Sequence, residues 1–90
     1  MMSKPITLEE YVVQCKMPYD GGEERDLYVG QDAYYTLYLT EAKFFSSVKN
    51  AKLSIGYHKR HNYSAHDYVI FKVRRTFEIV GIFKGETDAD

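Results

Sequence analysis

The sequence has very little of what a secreted or membrane-spanning domain needs. Cys15 is the only cysteine among 90 residues, so no disulfide can form within the chain, whereas a small secreted domain usually carries several. No run approaches the ~20 apolar residues that span a bilayer. The N-terminal segment has no apolar stretch of signal-peptide type. These absences predict a protein of the cytoplasm that does not associate with membranes.

The chain also lacks the residue clusters on which catalysis and metal binding depend. His58 and His61 are followed by His66, but a zinc site usually takes four ligands, and no second cysteine or acidic motif completes a set. Cys15 lies in an alternating apolar segment, where a thiol behaves as a small hydrophobic group. The glycine pair at 21–22 precedes neither the helix nor the lysine of a phosphate-binding loop. We therefore expect no enzyme, no catalytic residues, no cofactor and no bound metal.

Tyrosine is what the chain has in excess. Nine Tyr and five Phe stand beside no Trp, and the apolar fraction of 44% is that of an ordinary globular protein. Aromatic side chains favour strands. A chain of this length supports one domain, which buries only about 60–65% of its unfolded surface. We expect a single domain over residues 1–90, with loose ends at 1–7 and 85–90.

Alternation of apolar and polar residues predicts the first strands. Residues 10–17 alternate with period two, which indicates a strand, although a capping-box pattern opens an alternative helix over 7–13. A glycine-containing loop at 19–25 leads to a returning strand at 26–29, so the two strands form a hairpin. The apolar and aromatic segment 33–39 is either a third strand, which we favour slightly, or an irregular crossing segment.

One helix and one long strand complete the predicted fold. Ser47 can cap a helix that runs to about residue 57, and residues 67–75 are the clearest strand in the chain. Residues 76–83 also have a strand-like composition. Because no residue typical of a hairpin turn separates them from 67–75, we expect the two segments to form one long bent strand or two strands separated by a bulge. This order predicts an α+β fold: a single two-layer domain with an antiparallel sheet of three to five strands and the helix at 47–57 packed on one face.

The alternation within the last strand predicts which side chains are buried. The residues expected to face the core are Val69, Phe71 and Val73. The residues expected to face outward are Tyr68, Ile70, Lys72 and Arg74.

Charge is distributed unevenly along the chain. Residues 1–42 carry three Lys or Arg against eight Asp or Glu, whereas residues 43–85 carry nine against two. Such asymmetry indicates either a surface for an acidic partner or two halves that neutralise each other across a sheet, and we favour the second interpretation.

The layout resembles that of a type of small orphan protein common in tailed bacteriophages. The segments that carry the resemblance, within residues 10–80, are Tyr11–Val13, Leu27–Gly30, Leu39–Phe45, Ala51 and Tyr68–Val73. The resemblance implies a phage accessory protein that binds and modulates, often inhibits, a host protein in the host cytoplasm. It implies no particular functional residues.

Two groups of side chains suggest a binding function. Apolar and aromatic residues crowd segment 34–39 beyond what one sheet face can bury, and exposed Tyr and Arg are typical of protein interfaces. We therefore predict a small non-catalytic binding protein with a host protein as its partner. The alternative is a nucleic-acid-binding module that uses the basic and aromatic 49–75 surface. The sequence is also consistent with a homo-oligomer that forms through the edge of the strand predicted at 67–83, because an uncovered strand edge can pair with another chain. The predicted partner-binding residues are Tyr34, Tyr38, Tyr68, Ile70, Lys72 and Arg74.

Overall fold

The computed structural model describes residues 4–18, 22–83 and 85. Within them, four strands form one antiparallel sheet in the order β3-β2-β1-β4, and one helix packs against it. The predicted α+β fold, with an antiparallel sheet and one helix, is confirmed. The elements are β1 (Ile6–Pro18), β2 (Glu24–Val29), β3 (Tyr35–Thr36), α1 (Val48–His61) and β4 (His66–Phe77).

Strand β1 is longer than its alternating pattern predicts. It begins at Ile6, and its first half pairs with β4, from Ile6 opposite Phe77 to Val13 opposite Ile70. The alternative helix over 7–13 is therefore wrong, and residues 6 and 7 are not loose. The capping-box pattern is a local signal, and the ladder of hydrogen bonds to β4 outweighs it.

The connection from β1 to β2 lies partly outside the described residues. The loop predicted at 19–25 includes residues 19–21, which are not described, and β2 already begins at Glu24. Gly22 has a φ of 85°, a conformation that glycine adopts without steric cost. β1 then pairs with β2 from Gln14 to Pro18, which confirms the hairpin.

The segment after β2 is mostly irregular. Of the residues 33–39 predicted as a strand or a crossing segment, only Tyr35 and Thr36 are in a strand. A tight turn precedes them, in which Asp32 and Ala33 have φ values of 54° and 65° and the Tyr34 amide donates to the Gln31 carbonyl at 3.0 Å. Two consecutive positive φ values define a type I′ turn, which suits the twist of a hairpin.

Helix α1 begins as the sequence predicts and ends later. The Ser47 hydroxyl accepts a hydrogen bond from the Asn50 amide at 3.1 Å, so Ser47 is the N-cap. The helix continues to His61, four residues beyond the predicted end. Gly56 weakens a helix by only about 1 kcal/mol, and packing of Ala51 and Ile55 against the sheet offsets that cost.

The core lies between α1 and one face of the sheet, which we call the core face. Its buried members are Val13, Val29, Phe45 and Ala51, and Tyr68 and Ile70 of β4 pack against them. The predicted orientation of β4 is therefore wrong. Val69 and Phe71 are 44% and 42% exposed, because they lie on the opposite face from the helix.

The molecule is elongated. Its radius of gyration is 17.7 Å and its extents are 51 × 31 × 19 Å, whereas a compact domain of 90 residues has a radius of gyration of about 12 Å. β4 ends at Phe77, so the strand predicted to continue to residue 83 does not form. No described helix is long and apolar enough to cross a membrane.

Candidate functional site

The paired strands β1 and β4 present two faces of opposite character. Directly opposed residues of an antiparallel pair point to the same face, and Val12 opposes Phe71 while Ile6 opposes Phe77. These residues lie on the face opposite to α1, which we call the open face. Its apolar members are Ile6, Leu8, Val12, Val69, Phe71, Val73 and Phe77.

No described helix packs on the open face. Val12, at its inner end, is fully buried, but five of the seven apolar side chains are exposed. Ile6 is 60% exposed and Phe77 50%. Leu8, Val69 and Phe71 are between 42% and 44% exposed. Single exposed apolar residues are ordinary, but a contiguous apolar patch on a sheet typically marks an interaction surface.

The charged residues on the open face neutralise each other. Arg75 donates from Nε and Nη2 to Oε1 of Glu10, at 2.6 Å and 2.5 Å. Its guanidinium carbon lies 4.1 Å from the centroid of the Phe44 ring and 5.4 Å from that of Phe77. A guanidinium group over an aromatic ring at such a distance is attracted to the face of the ring. The open face therefore carries one paired arginine and no uncompensated charge among its described members.

The core face becomes polar where β1 and β4 extend beyond the helix. Glu9 accepts from Lys72 at 3.1 Å and from Arg74 at 3.2 Å. Hydrogen bonds to Lys72 and then to Arg74 lower the pKa of the Glu9 carboxyl below its usual value. Thr7 and Thr76 form a hydrogen bond at 3.3 Å on the same face. The cations of β4 are thus neutralised by acids of the N-terminal half, as the second interpretation of the charge asymmetry predicts.

The six predicted partner-binding residues do not form one surface. Tyr34 and Tyr38 are 74% and 61% exposed in the irregular segment after β2. Tyr68 and Ile70 are half-buried against the core under α1. Lys72 and Arg74 lie on the polar part of the core face, paired with Glu9. Any binding role of these residues would have to be divided among three places.

The sequence interpretation missed the open face because both alternating sets of β4 are apolar. Tyr68 and Ile70 on one side, and Val69 and Phe71 on the other, fit a buried face equally well. Charge matching with β1 indicates which residues of β4 share a face with Glu9. It does not show which face meets the helix, because Glu10 pairs with Arg75 on the other face.

A neutral polar cluster lies beneath α1. The Tyr35 hydroxyl and Nδ1 of His58 form a 2.5 Å hydrogen bond. Burial, followed by the charges of His61 and Lys43, lowers the pKa of His58. Burial raises the pKa of the Cys15 thiol to about 11 and that of Tyr68 to about 12. Uncharged groups of this kind stabilise the packing of α1, and the thiol has little thiolate character.

A wide groove of about 950 Å³ opens beside the helix. Its walls come from α1, from the type I′ turn and from the segment before the N-cap of the helix. The lining includes Asp32, Lys43, Phe44, Asn50, Leu53 and Tyr57. Because polar and apolar groups alternate along these walls without converging on one point, the groove does not define a particular ligand.

Helix α1 carries four cations and no acidic residue. Lys49, Lys52, Lys59 and Arg60 are exposed and form no ion pair with any described residue. The helix macrodipole favours cations in the last turn, which accounts for Lys59 and Arg60. It gives no support to Lys49 and Lys52 in the first half. This basic side of α1 is a second candidate surface, separate from the open face.

Comparisons with known proteins add no relative to these observations. No protein-family model matches the chain, and neither a curated protein nor a solved structure is significantly similar to it. Among residues 4–18, 22–83 and 85, no three His, Cys, Asp or Glu side chains gather where they could hold a metal ion.

Proposed function

We propose that this chain is a non-catalytic protein-binding module and that the open face is its binding surface. The observation that carries the proposal is that five of the seven apolar side chains on this sheet face are exposed. In a two-layer α+β domain the face opposite to the helix is normally polar because it meets water. Here that face carries few polar residues, namely Gln14 and the Glu10–Arg75 ion pair.

The exposed side chains of the open face contribute to binding when a partner covers them. Burial of a Val, Leu, Ile or Phe side chain is worth about 1.5–3 kcal/mol, so covering one that is half exposed is worth about 1 kcal/mol. Five members of the open face are 42–60% exposed, and the apolar surface of the partner adds to this contribution. Arg75, whose guanidinium group lies near the Phe44 and Phe77 rings, adds the residue type that often dominates binding energy.

For the partner, we propose the role that the resemblance to small phage proteins implies. A phage accessory protein acts by occupying a host protein, and an apolar surface without net charge suits that role. Binding through such a surface depends only weakly on salt, since few ions are released when the complex forms.

The test is capture of a partner from a nuclease-treated bacterial lysate by the immobilised chain and by three variants. Phe71→Thr and Leu8→Thr place a polar β-branched residue on the open face and preserve strand propensity. Thr76→Ala is the matched control on the polar side of β4. We expect both open-face variants to lose the partner and the control to retain it. Equal capture by all four proteins would contradict the proposal.

A second candidate function is binding of single-stranded nucleic acid through the basic side of α1. Lys49 and Lys52 favour it, because they form no ion pair with a described residue and the helix dipole does not support them. Fluorescence anisotropy with a labelled oligonucleotide would show an affinity that falls steeply with salt, and a combined Lys49→Gln and Lys52→Gln variant would reduce the salt slope by about two ion equivalents. The open-face variants would leave this binding unchanged, so the two functions are separable.

A further inference from the structure

We infer that the polypeptide covering the open face is a second copy of this chain, packed face to face about a two-fold axis. This inference rests on the proposed function, because it concerns the same surface, which a second copy covers when no host protein occupies it. Three independent features of the molecule support it: the exposed apolar side chains, the self-complementarity of the open face and the shape of the β1–β4 pair.

One chain leaves a group of apolar side chains on the open face exposed. Five of them, Ile6, Leu8, Val69, Phe71 and Phe77, are 42–60% exposed. A standard interface removes about 800 Å² from each partner. A second copy on the open face would bury these five side chains together.

The described part of the C-terminal segment exposes further apolar surface next to the open face. Residues 79–83 follow β4 without forming a strand, and they contain no charged residue. Val80, Ile82 and Phe83 are 80%, 76% and 96% exposed. This segment continues from Phe77, which is itself on the open face. In a dimer the two C-terminal segments extend the apolar interface at its edges.

The open face is complementary to itself. A two-fold axis places identical patches against each other, so a patch with uncompensated charge would repel its own copy. Glu10 and Arg75 already neutralise each other within one chain, and a copy that approaches meets no net charge. Apart from Gln14, the remaining members are aliphatic and aromatic, and such side chains interdigitate when two sheets pack.

The outer half of the β1–β4 pair has little support from the rest of the described chain, of which Phe44 contacts Arg75. Residues 6–10 and 73–77 form a two-stranded ribbon, since β1 pairs with β2 only from Gln14 onward. An isolated two-stranded ribbon is marginally stable in water. Packing against the ribbon of a second copy would supply the missing second layer.

The experiment is analytical ultracentrifugation of the purified full chain between ~1 and ~50 µM, a range that covers interfaces of standard size. We expect a species of twice the chain mass at the upper concentration. Phe71→Thr and Leu8→Thr should each raise the dimer Kd at least about 30-fold, the loss typical of a central interface residue. Thr76→Ala should leave it unchanged. Circular dichroism spectra verify that each variant is folded.

A second measurement uses only the unmodified chain. In a mixture of isotope-labelled and unlabelled copies, intermolecular NOEs should connect the Leu8 and Val69 methyl groups of one copy with aromatic rings on the open face of the other. Their absence in a dimeric sample would overturn face-to-face packing, and so would a dimer whose Kd does not respond to the open-face variants. The second result would point to another surface, such as the free edge of β4.

The proposed function and this inference fail differently. A chain that is monomeric at all concentrations overturns the inference, even if Phe71→Thr still abolishes capture of another protein, in which case the proposed function stands. If the chain is monomeric and Phe71→Thr and Leu8→Thr do not change what it captures from the lysate, both the proposed function and the inference are overturned.

Discussion

Separate replacement of Ile70 and Phe71 tests which face of β4 is buried. Adjacent residues of a strand point to opposite faces, and these two are apolar and neighbouring. Ile70 packs against the core that contains Val13 and Ala51, whereas Phe71 is 42% exposed on the open face. The alternation pattern alone predicts the reverse, with Phe71 in the core and Ile70 in solvent.

The expected magnitudes follow from the two environments. Ile→Ala in a core costs 2–5 kcal/mol, and because Ile70 is only partly buried we expect about 2 kcal/mol for Ile70→Ala. Phe71→Ala removes a ring that is 42% exposed and that no described helix covers. We expect it to reduce the free energy of unfolding of the monomer by about 1 kcal/mol, about half of the loss for Ile70→Ala.

The assay is urea unfolding followed by circular dichroism at two protein concentrations. The lower concentration isolates the monomer, and the higher one shows any contribution from association. A larger loss at low concentration for Phe71→Ala than for Ile70→Ala would refute the assignment of the core face. It would also remove the basis of the open face and of both proposals made from it.

Two further predictions concern local features. Ala33→Gly should raise the free energy of unfolding by about 1 kcal/mol. Ala33 has a φ of 65°, a conformation that costs an L-residue about 1–2 kcal/mol and costs glycine little. Urea unfolding measures the change, and an unchanged or lower free energy of unfolding would contradict the turn geometry. His66 should titrate above its ordinary pKa of 6.5, chiefly because it is hydrogen-bonded to Glu24. The stability from this pair is present below that ordinary value and is lost as the pH rises through the raised pKa. NMR titration should show the pKa falling in a Glu24→Gln variant, and an unaltered value would exclude the pair.

Several elements of this fold are determined by local signals. Ser47 caps α1 because a hydroxyl can accept from an orphan amide of the first turn, and that interaction needs no distant residue. The β1–β2 hairpin follows from alternation and from the glycines between the strands. The class of the fold then follows from the order of its elements, since one helix beside an antiparallel hairpin can bury its apolar side only on the sheet.

Other features depend on pairs of residues that are far apart in the sequence. Ile6–Glu10 form a strand because β4 pairs with them, although their own sequence also fits a helix start. The early end of β4 has a similar cause, because residues 78–83 have strand-like composition but no described strand to pair with.

The division between the two faces of β4 was decided only by the tertiary structure. Tyr68 and Ile70 fit a buried face as well as Val69 and Phe71 do, and a shift of one residue in register exchanges the two sets. In the observed register Glu9 pairs with Lys72 and Arg74, and Ile70 lies on the same face, under α1. The sequence alone therefore determined that β4 is a strand with two apolar sides. Which side meets the helix, and which remains open for a partner, depends on contacts with a strand some 60 residues earlier in the chain, because alternation describes one strand and burial depends on its neighbours.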